Sequence, residues 1–281
     1  MDDGYRDDGY RGDCVHSFFP PRQGAALLAR AALAASLLYA GQAAALCEEP
    51  AAAAAGGQCV HINEVRHPER KSYRAMSAGL DAFEAHHALA PRAREVRFQL
   101  IPGPGVASGS PHDLTLRIVG NATAISVPVS ADGSFVLPRS AQADGDDADV
   151  VANRPQDQFR WQASVRSDDV PPGTRRLGDL RLQCQVSSAI ARKETPFWMR
   201  TLIAASLRST DWCSADALKM GTHSDPAIAS ATLLDGGHRI ALPVKNAGTS
   251  FQAPLGDSRY GDDTLIELVY KDTGDGPRAS L

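Results

Sequence analysis

The sequence predicts a mainly β protein, an antiparallel β-sandwich with an N-terminal amphipathic helix and a second, smaller duplicated β unit. Three observations predict this fold class. Apolar and polar residues alternate in several short segments after residue 95, turn residues separate these segments, and one hairpin-like phrase occurs twice. The expected parts are a disordered extension with a signal peptide (1–45), a cysteine-containing segment with the helix (46–91), the sandwich (92–187), a helix with the second β unit (188–271) and a tail (272–281).

Length and charge narrow the class of protein. A chain of 281 residues is long enough for one large or two small domains. Its 43% hydrophobic residues suffice for a packed core, and its formal net charge is −4. Binding to nucleic acids or to an anionic membrane through overall charge is not expected, because such binding needs a basic surface that attracts phosphates.

The N-terminus carries the strongest functional signal. Residues 1–23 include DDGYRDDGYRGD, which has too little apolar surface to fold, so we expect disorder there. The apolar run Ala31–Gly41 is 11 residues long, which suits a secretory leader and is short for a bilayer span of about 20 residues. The small residues Ala43–Ala45 predict cleavage after about Ala45 and a periplasmic or secreted protein with no stable membrane span. An uncleaved N-terminal anchor in the inner membrane is the alternative.

Export affects how the cysteines are interpreted. Removal of the leader takes away Cys14 and leaves Cys47, Cys59, Cys184 and Cys213 in an oxidising compartment. We favour pairing of Cys47 with Cys59 and of Cys184 with Cys213, which closes two short loops, although four cysteines allow three connectivities. No CxxC pair occurs, and we expect neither a metal site nor a cofactor.

A helix is predicted between His67 and Pro91. The segment His67-Pro68-Glu69 favours a helix start because proline fits the first turn, and Pro91 favours the helix end. Residues between them recur at spacings of three and four, as on one helix face: Tyr73, Met76, Leu80, Phe83 and His87. We expect this face to pack on a sheet.

The same segment offers catalytic candidates. His86 and His87 lie near Asp81, and His112 follows in a later loop. Together these side chains would supply the acid and base, or the metal ligands, of a periplasmic hydrolase at the junction of helix and sandwich. The HExxH spacing that places two imidazoles on one zinc ion is absent. The hydrolase is therefore the alternative hypothesis.

Strands are predicted wherever apolar residues alternate with polar ones. This pattern is typical of antiparallel sheets with one face on a core and the other in water, and it directs Trp161 and Cys184 inward. About seven short strands in about 95 residues is the density of a β-sandwich. The predicted segments are 96–100, 114–118, 125–129, 135–137, 150–151, 159–165 and 180–186.

One phrase occurs twice, as ISVPVSADGSFVLP from Ile125 and as IALPVKNAGTSFQAPL from Ile240. Alignment of these two residues matches Gly133 with Gly248 and, after one inserted residue, Phe135 with Phe251. The match continues into GDD segments at 145–147 and 261–263, and upstream it places Ile118-Val119 opposite Leu233-Leu234. We infer a duplicated β-hairpin unit.

The region between the two copies predicts a second helix from about Pro196 to Leu207. Trp198 lies near its start, and Trp212 follows its end. Tryptophans of this kind either stack against sugars or pack in the protein, and packing is the ordinary case. A last strand is expected at residues 264–270.

The phrase SADGSFVLP resembles, over Ala131–Pro138, the edge hairpin of transthyretin-like or carboxypeptidase-regulatory-like secreted modules. This resemblance implies a noncatalytic accessory or binding module with a seven-stranded sandwich and no active-site residues. An immunoglobulin-like sandwich would give a similar strand pattern.

Enzyme signatures are missing from the sequence. We find no G-x-S-x-G elbow, no P-loop and no dinucleotide-binding GxGxxG after a strand. We therefore expect an exported, noncatalytic protein of the bacterial envelope that binds another envelope protein or a glycan.

Overall fold

The computed structural model of this chain describes residues 65, 67–103, 105–106, 111–207, 209, 211–214, 221–224 and 226–271. The predicted signal peptide, Cys47, Cys59 and the predicted tail lie outside the described residues.

The first half of the described chain runs from residue 68 to residue 165 and contains six strands and two helices. They are β1 (Pro68–Ser72), α1 (Tyr73–Ala85), β2 (Val96–Pro102), β3 (Leu116–Val119), β4 (Ala124–Val127), α2 (Ala141–Gly145), β5 (Asp149–Pro155) and β6 (Phe159–Val165). Strands dominate this half, as the alternating pattern predicts.

The second half runs from residue 174 to residue 270 and contains seven strands and two helices among its described residues. They are β7 (Thr174–Arg176), α3 (Leu177–Glu194), α4 (Phe197–Leu207), β8 (Gly221–His223), β9 (Ile228–Asp235), β10 (His238–Leu242), β11 (Val244–Lys245), β12 (Ser250–Gln252) and β13 (Leu265–Tyr270). The predicted helix from about Pro196 to Leu207 and the predicted last strand correspond to α4 and β13.

The described strands form four antiparallel sheets, so the mainly β, antiparallel fold class is confirmed. Two sheets have four strands each, in the orders β1-β5-β3-β4 and β7-β13-β9-β10. The other two are the pair β2-β6 and the three-stranded sheet β11-β12-β8. The immunoglobulin-like or transthyretin-like type of sandwich stays a prediction.

The two four-stranded sheets have the same construction. In each, a hairpin pairs with a later strand, β5 or β13, and the strand that enters the long helix is added at the edge. Even the registers agree: Ile118 pairs with Ile125 and Val150, and Leu233 pairs with Ile240 and Ile266. The aligned phrases of the sequence therefore occupy equivalent positions in the two sheets.

The equivalence extends beyond the hairpins. The first residue of each long helix donates its backbone N–H to a carbonyl just before β5 or β13, Tyr73 to Ala148 at 2.9 Å and Leu177 to Thr264 at 2.8 Å. Gly133 and Gly248 both have left-handed backbones, with φ of 79° and 99°. The repeated arrangement therefore runs from β1 to β5 and from β7 to β13, well beyond the hairpin that the sequence indicated.

Tyr73 anchors the start of α1. Its side chain is fully buried, its hydroxyl donates to the Pro138 carbonyl at 2.8 Å, and it accepts from the Ser140 N–H at 2.6 Å. Burial raises the pKa of this hydroxyl, so it stays protonated and keeps its donor. The Ser72 hydroxyl accepts from the Ala75 N–H and caps the helix.

Helix α3 lies between two hydrophobic cores. The first core includes α1, the first four-stranded sheet and β2-β6, and α3 contributes Leu182, Val186 and Ile190 to it. The second core includes β9, β13 and Phe251, and α3 contributes Leu177 and Leu180. One helix is thus shared by both halves.

The predicted strand at 180–186 is wrong, because these residues lie within α3. At about 100° per residue, Leu180 and Cys184 lie on one face of the helix and Leu182 and Val186 lie on the opposite face. All four are buried, since each face meets a core or the adjoining disulfide. Burial on two opposite faces therefore imitates the two-residue period of a strand. The helix also crosses the domain boundary that we expected between residues 187 and 188.

Two further predictions need correction. The segment around Pro68 and Glu69 does not start a helix but forms β1, and α1 begins only at Tyr73. The predicted strand at 135–137 is reduced to one bridge, between Phe135 and Phe98 of β2.

The helices α1 and α3 meet at Gly79. A Cβ atom at this position would lie 2.8 Å from two side-chain atoms of Ile190 and 3.2 Å from Val186. Because a contact below 3.0 Å forces a neighbour to move, the glycine permits the close approach of the two helices.

The substitution Gly79→Val is expected to destabilise the protein, because the isopropyl group would push α1 away from α3. We expect a loss of about 2 kcal/mol in the free energy of unfolding, measured by urea denaturation. Ala85→Val adds the same side chain at an exposed position of α1 and serves as the control. Equal stability of the two variants would contradict the close helix contact.

Candidate functional site

The predicted His/Asp cluster does not appear as a single site. Asp81 accepts from Arg139 at 2.8 Å, and Arg139 also donates to Glu84 at 2.8 Å. His87 Nε2 donates to the Ala93 carbonyl at 2.8 Å, and its ring lies 5.3 Å from that of Phe83. Each of these side chains therefore has a structural role.

The other two candidates also lie apart from a shared site. His86 is the C-cap residue that follows α1, and it is exposed. His112 is exposed in a short 3-10 turn at Pro111–Asp113. Within the described ranges, no group of three or more His, Cys, Asp and Glu side chains is arranged to hold a metal ion.

Two adjoining cavities mark a different place, a cleft between β6 and α3. Their volumes are about 190 and 230 Å³. Both are lined by Trp161 and Ser187, so these two residues form the boundary between them. We call the two cavities together the Trp161 cleft.

The linings of the two cavities differ. The smaller cavity is lined by Lys71, Met76, Phe98, Trp161, Ala163, Ser187, Ile190, Ala191 and Glu194. The larger is lined by Arg160, Trp161, Gln162, Leu180, Gln183, Cys184, Ser187, Gly221, Thr222, His223 and Leu255. The larger cavity therefore lies where β6 of the first half meets β8 and α3 of the second half.

Trp161 is held in a fixed orientation. Its indole N–H donates to Glu69 Oε1 at 2.8 Å, and its ring meets that of Phe135 edge-to-face with centroids 6.1 Å apart. The carboxylate of Glu69 is buried and also accepts from the Asp157 N–H at 3.0 Å. Trp161 itself stays half-buried, so part of its ring faces the cleft.

A charged pair forms part of the wall of the smaller cavity. Lys71 on β1 donates to Glu194 at the end of α3, with Nζ and Oε2 2.7 Å apart. The two charges neutralise each other at the wall of the cavity. This pair also joins the edge of the first sheet to the helix of the second half.

Gln183 fixes α3 against β6. Its side-chain oxygen accepts from the Val165 N–H at 3.3 Å and from Arg175 at 3.0 Å. Burial and the nearby charge of Arg166 lower the pKa of the Arg175 guanidinium to about 10, so it remains charged at neutral pH. The wall of the larger cavity is thus built on a bonded contact between helix and strand.

The disulfide Cys184–Cys213 adjoins the larger cavity and is the pair that the sequence favours. Its two Cα atoms are 5.8 Å apart, and the Ser188 hydroxyl lies 3.2 Å from the Cys213 sulfur. The loop that it closes contains α4.

The walls of the cleft combine one aromatic ring with polar and charged groups. Gln162, Gln183, Ser187 and Thr222 line the cleft together with Arg160, and the Lys71–Glu194 charges of the smaller cavity are paired. Pockets that combine apolar surface with a few placed polar groups are typical binding sites, and they occur preferentially where two structural units meet.

Comparison with known proteins gives no further guide to the site, since no protein family, curated protein or solved structure matches this chain.

Sequence patterns could not have identified most of the cleft. The strand pattern directs Trp161 into a core, whereas its ring is half-buried beside the cleft. Lys71 and Glu194 are 123 positions apart, and Glu69 belongs to a segment that the sequence assigned to a helix. The residues are brought together only by the docking of α3 on the first half.

Removal of the disulfide is expected to destabilise the protein, although the variant should still fold. For a loop of 29 residues, chain entropy predicts a loss of about 3.5 kcal/mol. The variant Cys184→Ala/Cys213→Ala should therefore melt on the order of 10 °C below the wild type in calorimetry.

Reductant provides the matched control for this prediction. It should lower the melting temperature of the wild type towards that of the double variant, and any further change in the variant reports Cys47 and Cys59. Equal melting temperatures of the oxidised wild type and the variant would contradict a stabilising role.

Proposed function

We propose that this chain is an exported, noncatalytic protein of the bacterial envelope, a β-sandwich with a duplicated β unit, which binds a glycan in the Trp161 cleft. The observation that carries the proposal is the half-buried indole of Trp161, fixed by Glu69 between two cavities whose walls contain amide and hydroxyl side chains.

The size of the cavities supports a glycan. At about 190 and 230 Å³, each is smaller than the roughly 300–1,000 Å³ of a pocket for a drug-sized ligand. Each would take one ring-sized group, and two neighbouring groups would meet on either side of Trp161. Consecutive sugar units present such groups at a regular spacing.

The chemistry of the walls supports the same ligand class. A sugar has one apolar face and many hydroxyls, which match an aromatic ring bordered by amides and hydroxyls. The Lys71–Glu194 pair leaves no net charge at the wall that it forms. Arg160 is a further charged side chain in the lining, so a cationic peptide segment would find no uncompensated carboxylate in the cleft.

Export is supported by two independent features. The apolar run Ala31–Gly41 with Ala43–Ala45 has the pattern of a cleaved leader. The Cys184–Cys213 disulfide suits an oxidising compartment such as the periplasm. The resemblance of Ala131–Pro138 to transthyretin-like modules agrees with a binding role without catalysis.

The proposal is tested by titrating the protein with soluble fragments of peptidoglycan glycan strands and with chitooligosaccharides. We expect tryptophan fluorescence to change on binding. Trp161→Ala should weaken binding at least tenfold, about 1.4 kcal/mol, because the stacking surface is lost.

Trp161→Phe and Trp212→Phe serve as controls. The first keeps a ring and should retain part of the affinity, and the second lies outside the lining of the cleft and should retain all of it. Failure of the wild type to bind any glycan, or binding of a peptide library instead, would overturn the glycan proposal. Unchanged binding by Trp161→Ala would place the site elsewhere.

A further inference from the structure

Helix α4 presents an unusual face to solvent. Seven of its eleven residues are exposed, and none of the seven is charged. The large apolar side chains among them are Phe197, Trp198, Met199 and Leu202, with exposed fractions of 75, 64, 37 and 61%. Soluble proteins rarely leave such a continuous apolar patch uncovered.

The other side of α4 is half-buried. Arg200, Ile203, Ala204 and Leu207 are the less exposed residues, and their spacings of three, one and three place them on one side of the helix. The single charged residue of α4, Arg200, lies at the border of the exposed face, with its guanidinium 5.5 Å from the Phe197 ring centroid.

The hydroxyls of the exposed face are already satisfied. The Thr201 hydroxyl donates to the Phe197 carbonyl at 3.1 Å, and the Ser206 hydroxyl donates to the Leu202 carbonyl at 2.9 Å. Because each hydroxyl already donates to a helix carbonyl, it loses little hydrogen bonding when it leaves water. The whole exposed face can thus enter an apolar medium with little loss of hydrogen bonds.

Basic residues lie in and directly before α4. Arg192 and Lys193 lie in the last turn of α3, directly before α4, and Arg200 lies within α4. Glu194 is the one acidic residue from Ile190 to Leu207, and its carboxylate is paired with Lys71. The segment from Ile190 to Leu207 therefore carries a local net positive charge in a chain whose overall net charge is −4, and this local charge complements an anionic lipid surface.

We propose that α4 binds the surface of an anionic lipid bilayer, lying in the interface with Trp198 and Leu202 among the acyl chains. Its eleven residues span about 16 Å, which fits a helix lying in the plane of the bilayer surface. Tryptophan favours this boundary because its ring is apolar and its N–H is polar. The predicted leader delivers the chain to a membrane surface, which agrees with this location.

The test is sedimentation with vesicles. The wild type should sediment with vesicles of phosphatidylglycerol and phosphatidylethanolamine, and less with vesicles of phosphatidylcholine alone. Trp198→Ser/Leu202→Ser should reduce partition into the anionic vesicles at least tenfold. Both side chains are exposed, so circular dichroism should show an unchanged melting temperature.

Val119→Ser/Val269→Ser is the matched control, because it removes two apolar side chains that are exposed on strands. It should bind vesicles like the wild type. All proteins are purified in the same N-terminal form, so that any contribution of the leader is common to them.

Three results would overturn the proposal. These are no binding of the wild type to anionic vesicles, equal binding by the α4 variant, or a wild-type dimer in analytical ultracentrifugation that the α4 variant abolishes. The last result would assign the face to a second copy of the chain. Glycan binding by the α4 variant should stay unchanged, which separates this test from that of the Trp161 cleft.

Discussion

The rest of the structure depends on the burial of α3 between two hydrophobic cores. Leu182, Val186 and Ile190 pack against α1 and the first half, while Leu177 and Leu180 pack in the second half. Without the second half the first core would lose this helix, and without the first half Leu182, Val186 and Ile190 would be exposed, so neither half is expected to be stable alone. The same burial fixes the walls of the Trp161 cleft, since one wall consists of α3 and the other of β6.

The larger cavity of the Trp161 cleft lies beside one strand of each half, β6 and β8. Both halves have a four-stranded sheet of the same order and register, with a long helix after the edge strand. The strand β2 pairs with β6 in the first half, and β8 pairs with β12 in the second. The repeated arrangement thus supplies the scaffold, and the site lies where strands of its two copies approach each other.

The sequence predicted those elements that bury a single face. The strands β3 and β13 alternate because one side meets a core and the other meets water or a half-buried position. Helix α3 escaped prediction because it is buried on two opposite faces, and periodicity cannot distinguish that case from a strand. The Lys71–Glu194 pair could not be predicted, because a contact between residues far apart in the sequence leaves no local pattern. The apolar character of α4 was visible in the sequence, but its exposure was not.

The central claim is that α3 joins both halves into one cooperative unit, and native-state hydrogen exchange of Leu180→Ala tests it most directly. This substitution removes packing from the second core only, with an expected loss of about 3 kcal/mol. We expect amides of β5, in the first half, to lose protection by the same free energy as amides of β13. Unchanged protection of β5 beside a destabilised β13 would show that the halves unfold independently and that α3 does not join them into one cooperative unit.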